Sequence, residues 1–229
     1  MRSHRGNIPD CGRVLNWVSG RSALRAGTVF CIGRNYADHA RELGNELPTE
    51  PMVFLKTRNS IVGNGAKVRI PNYSEDMHYE AELVLIIGQA DSKPVVTGIS
   101  VGIDFTLRDI QSDIKQKGHP WTKAKNFKGA TAISDIYDMD VNEFGVSLDD
   151  IGIRLIKNGE VMQDGNTSQM VFPAEKLVDG IEGIYGLELG DLIFTGTPSG
   201  VGNVVVGDRL EALISYKGRQ LSTLKIDIA

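Results

Sequence analysis

The stretch His78-Tyr79-Glu80-Ala81-Glu82-Leu83-Val84-Leu85-Ile86-Ile87 sets acidic side chains against an unbroken apolar run. Five apolar residues in a row, without alternation, are the pattern of a strand buried on both faces. In an extended chain residues two apart share a face, so Glu80 and Glu82 project together and His78 joins them. Two carboxylates entering an apolar strand are costly unless something positive neutralises them. A hard divalent cation does so, since Mg2+, Mn2+ and Ca2+ prefer oxygen ligands. A solvated strand end accounts for the same spacing equally well. Asp104 lies in a second apolar segment, Val101-Gly102-Ile103-Asp104-Phe105. Aspartate is disfavoured inside a strand and asks for a partner there. Capping of the next helix is its plainer role, although Thr106 suits that better. With Glu80 and Glu82, Asp104 would complete a Glu/Glu/Asp oxygen site.

Around these segments the chain reads as β-rich with a few short helices. Apolar runs at 28–32, 52–55 and 99–105 are expected strands. The Asn158-Gly159 pair between 153–157 and 160–162 signals a tight hairpin. A final hairpin is expected over 209–216 and 220–228, turning at Lys217-Gly218. Helices are expected at 36–43, stopped by Gly44, and after Pro173 over 174–178. Another opens at Thr106, with Asp109 completing a capping box, carries Leu107, Ile110 and Ile114 on one face, and ends at Gly118 and Pro120. Strands and helices do not alternate, which argues against a doubly wound parallel sheet.

The chain has 229 residues, 41% hydrophobic and 24% charged, an ordinary globular balance. The net charge of −4 argues against nucleic acid as a partner. No apolar run approaches membrane-spanning length, and no basic-then-apolar leader is seen, so a cytoplasmic protein is expected. Cys11 and Cys31 are too few for a disulfide framework or a four-thiolate zinc site.

Two further groups of polar residues bear on chemistry. His39 and Glu42 are three apart on the expected helix and therefore neighbours. A carboxylate beside an imidazole orients it and raises its basicity, as a general base requires; a surface ion pair fits the spacing too. Arg108, Gln111 and Lys115 share one helix face, and Lys123 and Lys125 follow. Lys125, between Ala124 and Asn126-Phe127, is the least surface-like of these. The run Thr195-Gly196-Thr197-Pro198-Ser199-Gly200 offers N–H and O–H donors to a carboxylate, or is simply a tight turn.

Taken in order, Gly33-Arg34-Asn35-Tyr36-Ala37-Asp38-His39 with Glu42, Phe54-Leu55-Lys56, Tyr79-Glu80-Ala81-Glu82-Leu83, Asp104-Phe105-Thr106-Leu107-Arg108-Asp109-Ile110-Gln111, Trp121-Thr122-Lys123-Ala124-Lys125-Asn126-Phe127 and Thr195-Gly196-Thr197-Pro198 resemble the fumarylacetoacetate hydrolase family. The nearest look is to its small acylpyruvate hydrolase and oxaloacetate decarboxylase-like members. Residues 27–229 form the matching catalytic domain, and residues 1–26 are a divergent N-terminal segment. The resemblance implies a mixed β-sheet fold of the β-rich α+β class, a homodimer, and Mg2+ (with Mn2+ or Ca2+ as alternatives) on Glu80, Glu82 and Asp104. It makes His39 and Glu42 a water-activating pair and Lys125 a partner of the substrate's oxygens. Arg108, Gln111 and Thr197 become substrate contacts. The implied reaction is hydrolysis of a carbon–carbon bond in an acylpyruvate, a small 2-oxo acid, through a metal-stabilised pyruvate enolate. Decarboxylation or tautomerisation of oxaloacetate, and isomerisation of a 2-hydroxyhepta-2,4-diene-1,7-dioate-type substrate, pose the same electrostatic problem. Where members often carry Pro after the lysine of the Phe-Leu-Lys strand, this chain has Thr57. Where they often carry Asp two residues before the first metal glutamate, it has His78.

Overall fold

The computed structural model describes residues 14–19, 22–42, 44, 46–139 and 145–229. Most of the divergent N-terminal segment, residues 1–13, lies outside the described residues, as does Leu43 at the expected end of the first helix. The chain is β-rich with few short helices, as expected.

The central sheet runs in the order Met52–Lys56, Val29–Gly33, Leu192–Phe194, Ala81–Ala90, Lys93–Asp104, Thr131–Ile133, Ile61–Val62. It is mixed. Leu192–Phe194 is parallel to Val29–Gly33 but antiparallel to Ala81–Ala90. A second sheet orders Glu160–Asn166, Gly152–Lys157, Arg209–Tyr216, Arg219–Ile228 and Lys67–Val68. A small third sheet joins Thr106–Leu107, Met77–Tyr79 and Gly202–Asn203. Among the described residues no helix is long and apolar enough to cross a membrane.

Strand Ala81–Ala90 is buried on both faces, as its unbroken apolar run predicts. Ala81, Leu83, Leu85 and Ile87 enter the larger core cluster together with Ile99, Val101 and Ile103 of the neighbouring strand. Val84 and Ile86 point the other way, into a smaller cluster with Cys31, Val29, Leu192 and Phe194. Glu80 and Glu82 belong to that second face and lie at its end. The smaller cluster is therefore the apolar floor beneath the carboxylates.

Both expected hairpins form. Asn158 and Gly159 take φ of 54° and 89°, and Lys217 and Gly218 take 47° and 78°. Positive φ at both central residues matches the twist of the flanking strands. The last strand begins at Arg219, paired with Tyr216. The helix after Pro173 runs further than expected, Ala174–Tyr185, because Leu177 and Ile181 continue its buried stripe.

The capping box at Thr106 does not form. Thr106 and Leu107 pair as a strand with His78 and Met77. The helix begins one step later, Arg108–Gln116, with no side-chain cap at Leu107. Tertiary pairing overrides the local capping signal: the Thr106 hydroxyl donates to the Asp104 carbonyl at 3.3 Å, and Leu107 is fully buried off the helix. Asp109 anchors the helix start instead, accepting from Ser74 Oγ at 2.7 Å and from the N–H groups of Glu75 and Ile110 at 3.0 and 2.8 Å.

Candidate active site

Strand register builds the acidic centre. Ala81 pairs with Ile103 and Glu82 with Gly102, which sets Glu80 across from Asp104. The Asp104 N–H donates to the Glu80 carbonyl at 2.8 Å. Oxygen atoms of Glu80, Glu82 and Asp104 all lie within 4.8 Å of one another, and all three residues are buried. Among the described residues no Cys or His joins this group. Three convergent carboxylates are a hard oxygen donor set, which fits a divalent cation such as Mg2+, Mn2+ or Ca2+ and does not fit a soft metal.

Among the described residues three cations meet the triad. Lys125, from the short helix Thr122–Lys125, places Nζ 2.7 Å from Glu80 Oε2, 2.7 Å from Asp104 Oδ2 and 2.6 Å from Thr106 Oγ1. Lys56, fully buried at the end of strand Met52–Lys56, lies 2.5 Å from Asp104 Oδ1 as an ion pair off hydrogen-bonding angle. Its ammonium donates to the Ala130 carbonyl at 2.6 Å. Arg108 donates to Glu80 Oε1 at 2.5 Å and to Gln111 Oε1 at 2.7 Å.

The charges do not fall evenly. Burial works against the Glu80 anion, but Lys125 and Arg108 outweigh it and hold its carboxyl well below the usual range. Burial, with Asp104 and then Glu80 as like charges, pushes Glu82 well above that range, against a single N–H from Gly196 at 2.7 Å. Burial also opposes the Lys125 charge, yet Asp104 and Glu80 raise its pKa.

His39 and Glu42 lie on helix Ala37–Glu42, with Nδ1 3.4 Å from Glu42 Oε2. His39 is buried and lines the pocket that contains the triad. Burial lowers its pKa, against the pull of Glu80 and Glu42, so the imidazole is neutral at neutral pH. Glu42 stands at the edge, and its carboxylate accepts from the Gly200 N–H at 3.2 Å.

Of the residues expected from the sequence, Glu80, Glu82, Asp104, His39, Arg108, Gln111, Lys125 and Thr197 all line one pocket, and Glu42 joins it through His39. Two expectations are revised. His78 does not line the pocket with the glutamates, its Nε2 lying 2.9 Å from Asp76 Oδ1. The break between strands Met77–Tyr79 and Ala81–Ala90 ends the extended run that would have kept the three side chains together. The Gly- and Thr-rich loop gives N–H donors to carboxylates of the protein itself: Gly196 to Glu82, and Gly200 to Glu42. Its Thr197 hydroxyl is committed as well, donating to the Ala81 carbonyl and accepting from Gln163 Nε2, both at 2.8 Å.

Three residues escaped the sequence reading. Lys56 belongs to the Phe54-Leu55-Lys56 motif but receives no role from it; the further clue is that Asp104 needs a cation. Gln163 is buried in strand Glu160–Asn166, where it accepts from the Ala81 N–H at 3.0 Å and donates to Pro198 O at 2.9 Å. Arg34 lines the pocket beside Gly33 with φ of 58°, unusual for a residue other than glycine.

Compared with models of known families, the chain matches fumarylacetoacetate (FAA) hydrolase C-terminal over residues 28–228. It is 37% identical to a mitochondrial oxaloacetate tautomerase of Arabidopsis thaliana over 213 residues, covering 90% of this chain and 92% of that one. It is 38% identical to a mitochondrial oxaloacetate decarboxylase of Dictyostelium discoideum, covering 87% and 91%. Among solved structures it resembles fumarylpyruvate hydrolase from Pseudomonas aeruginosa in complex with Mn2+ and pyruvate. That likeness has a TM-score of 0.86 and 31% identity, and covers 96% of this chain and 97% of that one.

Proposed function

Because the chain belongs to the fumarylacetoacetate hydrolase family, we propose that it is a metal-dependent hydrolase cleaving a carbon–carbon bond in acylpyruvate-type 2,4-dioxo acids. The observation that carries this reading is the neutral, buried His39, backed by Glu42, in the same pocket as the Glu80/Glu82/Asp104 triad. A Mg2+ ion held by those three carboxylates, or Mn2+ or Ca2+ in its place, would supply Lewis acidity toward the carboxylate and keto oxygens of a 2-oxo acid.

Glu42 accepts the Nδ1–H of His39 and so leaves Nε2 as the acceptor. His39 takes a proton from water, and the hydroxide adds to the distal carbonyl of the substrate. The bond between that carbonyl carbon and the neighbouring methylene breaks. Its electron pair becomes the enolate of pyruvate, and the distal fragment leaves as a carboxylic acid. His39 returns the proton to the enolate carbon, which completes pyruvate. Lys125, whose three N–H groups go to Glu80, Asp104 and Thr106, exchanges the neutral Thr106 acceptor for the enolate oxygen, where negative charge develops in a buried site. Arg108 and Gln111 hold the substrate carboxylate, and Thr197 contacts substrate through its main chain, since its hydroxyl is committed. The working unit of this reading is a homodimer, to be weighed by light scattering; it is supported by exposed apolar Ile184, Tyr185 and Leu189 close together in the chain.

A second reading is favoured by the relatives named for oxaloacetate chemistry. In it His39 shuttles a proton between carbon and oxygen without water adding, or the same enolate forms by loss of CO2. One experiment separates the two: Mg2+-loaded protein with a panel of acylpyruvates and oxaloacetate, following enol absorbance and pyruvate. Pyruvate with a stoichiometric carboxylic acid supports hydrolysis. Pyruvate from oxaloacetate alone replaces it with decarboxylation, and a changing enol signal without pyruvate replaces it with tautomerisation or isomerisation.

A further inference from the structure

The small third sheet carries a histidine that the reaction leaves unused. His78 is half-buried in its middle strand, opposite Thr106, whose hydroxyl accepts from Lys125 at the triad. Its Nε2 lies 2.9 Å from Asp76 Oδ1. An ionised carboxylate only accepts, so Nε2 carries the ring's proton and Nδ1 is left as an acceptor. That Nδ1 is buried and has no hydrogen-bond partner among the described residues.

Arg108 shows the complementary lack. Its two terminal nitrogens have acceptors, Nη1 in Gln111 Oε1 at 2.7 Å and Nη2 in Glu80 Oε1 at 2.5 Å. Its Nε–H is buried without a partner among the described residues. Buried donors and acceptors are seldom left unmade, because each forfeits its hydration for nothing. Here one of each remains, and strand register brings them together. Thr106 pairs with His78 and Leu107 with Met77, and the next N–H, that of Arg108, donates to the Asp76 carbonyl at 2.7 Å. The Arg108 side chain therefore starts beside Asp76 and ends at the carboxylate of Glu80. His78 is the residue midway between those two positions. Its side chain shares a face with that of Thr106, directly across, and with that of Asp76, to which it is bonded. A guanidinium reaching from position 76 to position 80 passes His78, and Nε is its nitrogen nearest the main chain. After burial, the Arg108 charge is the strongest influence lowering the His78 pKa, as such closeness requires.

We propose that His78 is a positioning residue for Arg108: held by Asp76, it accepts the Arg108 Nε–H at Nδ1, directly or through one water, and so aims the guanidinium at the substrate carboxylate. The proposal rests on the reading of Arg108 as a substrate contact. Asp76, His78, Arg108 and the substrate then form one line of hydrogen bonds that begins behind the pocket and ends in it. The planar guanidinium keeps a single orientation when the substrate competes with Glu80 for it. An arginine already oriented loses less freedom on binding.

Two measurements test this, and only one of them depends on the substrate reading. In metal-free protein carrying isotope-labelled arginine, the Arg108 Nε–H resonance is identified by its loss in Arg108→Lys. His78→Leu is expected to move that proton resonance upfield, and His78→Asn, whose Oδ1 stands where Nδ1 stood, to restore it. Calorimetry with pyruvate on the Mn2+-loaded protein reads the consequence. His78→Leu should bind pyruvate about tenfold more weakly, the size of a hydrogen bond to a charged group. His78→Asn should recover most of that loss. In the Arg108→Lys background His78→Leu should cost nothing further, because its effect runs through Arg108. Mn2+ affinity stays unchanged in both His78 variants, which also reports that they fold. An Nε–H resonance indifferent to His78→Leu overturns the contact. A responsive resonance with unchanged pyruvate affinity, or losses that add in the double variant, overturns the positioning role. Absence of Mn2+-dependent pyruvate binding by the unmodified protein overturns the 2-oxo acid reading and the aiming role with it, while the resonance still decides the contact.

Discussion

Glu82 is the carboxylate of the triad with the least to hold it. Glu80 has Lys125 and Arg108, and Asp104 has Lys56 and Lys125, whereas Glu82 receives one backbone N–H. A carboxyl whose folded pKa is raised takes up a proton on folding. Its contribution to stability is therefore favourable at low pH and is lost as pH rises from the unfolded carboxylate range toward the folded value. Glu82→Gln, neutral at every pH and still able to accept from Gly196, is expected to stabilise the metal-free protein at pH 7. A gain of about 1 kcal/mol would appear as a melting temperature about 2–4 °C higher. The same change should abolish any response to Mn2+, the usual trade of stability against function at a site. His39 gives the opposite dependence. It works when neutral, so kcat/KM rises with pH through a pKa below the ordinary histidine value. Glu42 raises that pKa, so Glu42→Gln should move the acid limb lower as well as slow the reaction. His39→Ala should cut kcat by about 10²–10⁴-fold with Mn2+ affinity unchanged in a metal titration. Undiminished turnover in that variant would remove His39 from the chemistry. Glu80, Glu82 and Asp104 stood out because carboxylates are disfavoured beside apolar strands; His39 stood out by its spacing from Glu42 and Lys125 by its apolar neighbours, and the roles of all five came from the family resemblance. Lys56 and Arg34 were not legible. A lysine at a strand end and an arginine after a glycine are ordinary until their surroundings close over them.

Among the elements, strand Glu160–Asn166 does something its sequence does not announce. Gln163 joins three pieces of the site: the Ala81 N–H, which lies between the two glutamates, the Thr197 hydroxyl and the Pro198 carbonyl. Gln163→Ala leaves buried groups unpaired on both sides. We expect a loss of about 1–3 kcal/mol in denaturant unfolding. Because the glutamates lose the support that aims them, Mn2+ affinity should fall about 10–100-fold. A variant equally destabilised but with unchanged Mn2+ affinity would mean that Gln163 supports the fold and not the site. This residue was invisible in the sequence for a physical reason. Its partners are 34 and 82 positions away, and nothing local distinguishes it from a surface glutamine. The hairpins at Asn158-Gly159 and Lys217-Gly218 were legible because turn chemistry is local. Thr106 marks the boundary between these cases. Its capping signal was read correctly as chemistry but lost to pairing with His78, and its hydroxyl went to Lys125 and Asp104 instead.

At the scale of the whole molecule the site is a charge balance set into an apolar floor. Three carboxylates meet Lys56, Lys125 and Arg108, so the inner pocket is close to neutral before any cation binds. A divalent ion adds two positive charges above the apolar floor of Val84, Ile86, Cys31 and Phe194, and the anionic substrate offsets them. Binding energy of this kind is folding energy, because the unfolded chain cannot gather Glu80, Glu82 and Asp104, which span 25 residues of sequence. Mass action then fixes the size of the effect: metal at about 100 times its dissociation constant adds about 2.7 kcal/mol. For a chain of this length that corresponds to a melting temperature about 5–10 °C higher. Scanning fluorimetry with Mn2+, Mg2+ and Ca2+ should show the rise, and a chelator should reverse it. The ranking of the three ions reports which the site prefers, since Mg2+ demands near-octahedral oxygen geometry and Ca2+ tolerates a wider, looser shell. A melting temperature unmoved by all three, in a protein whose Glu82→Gln variant melts higher, would mean that the acidic cluster is satisfied by its own lysines and arginine. The chemistry would then have to rest on His39 and Lys125 alone.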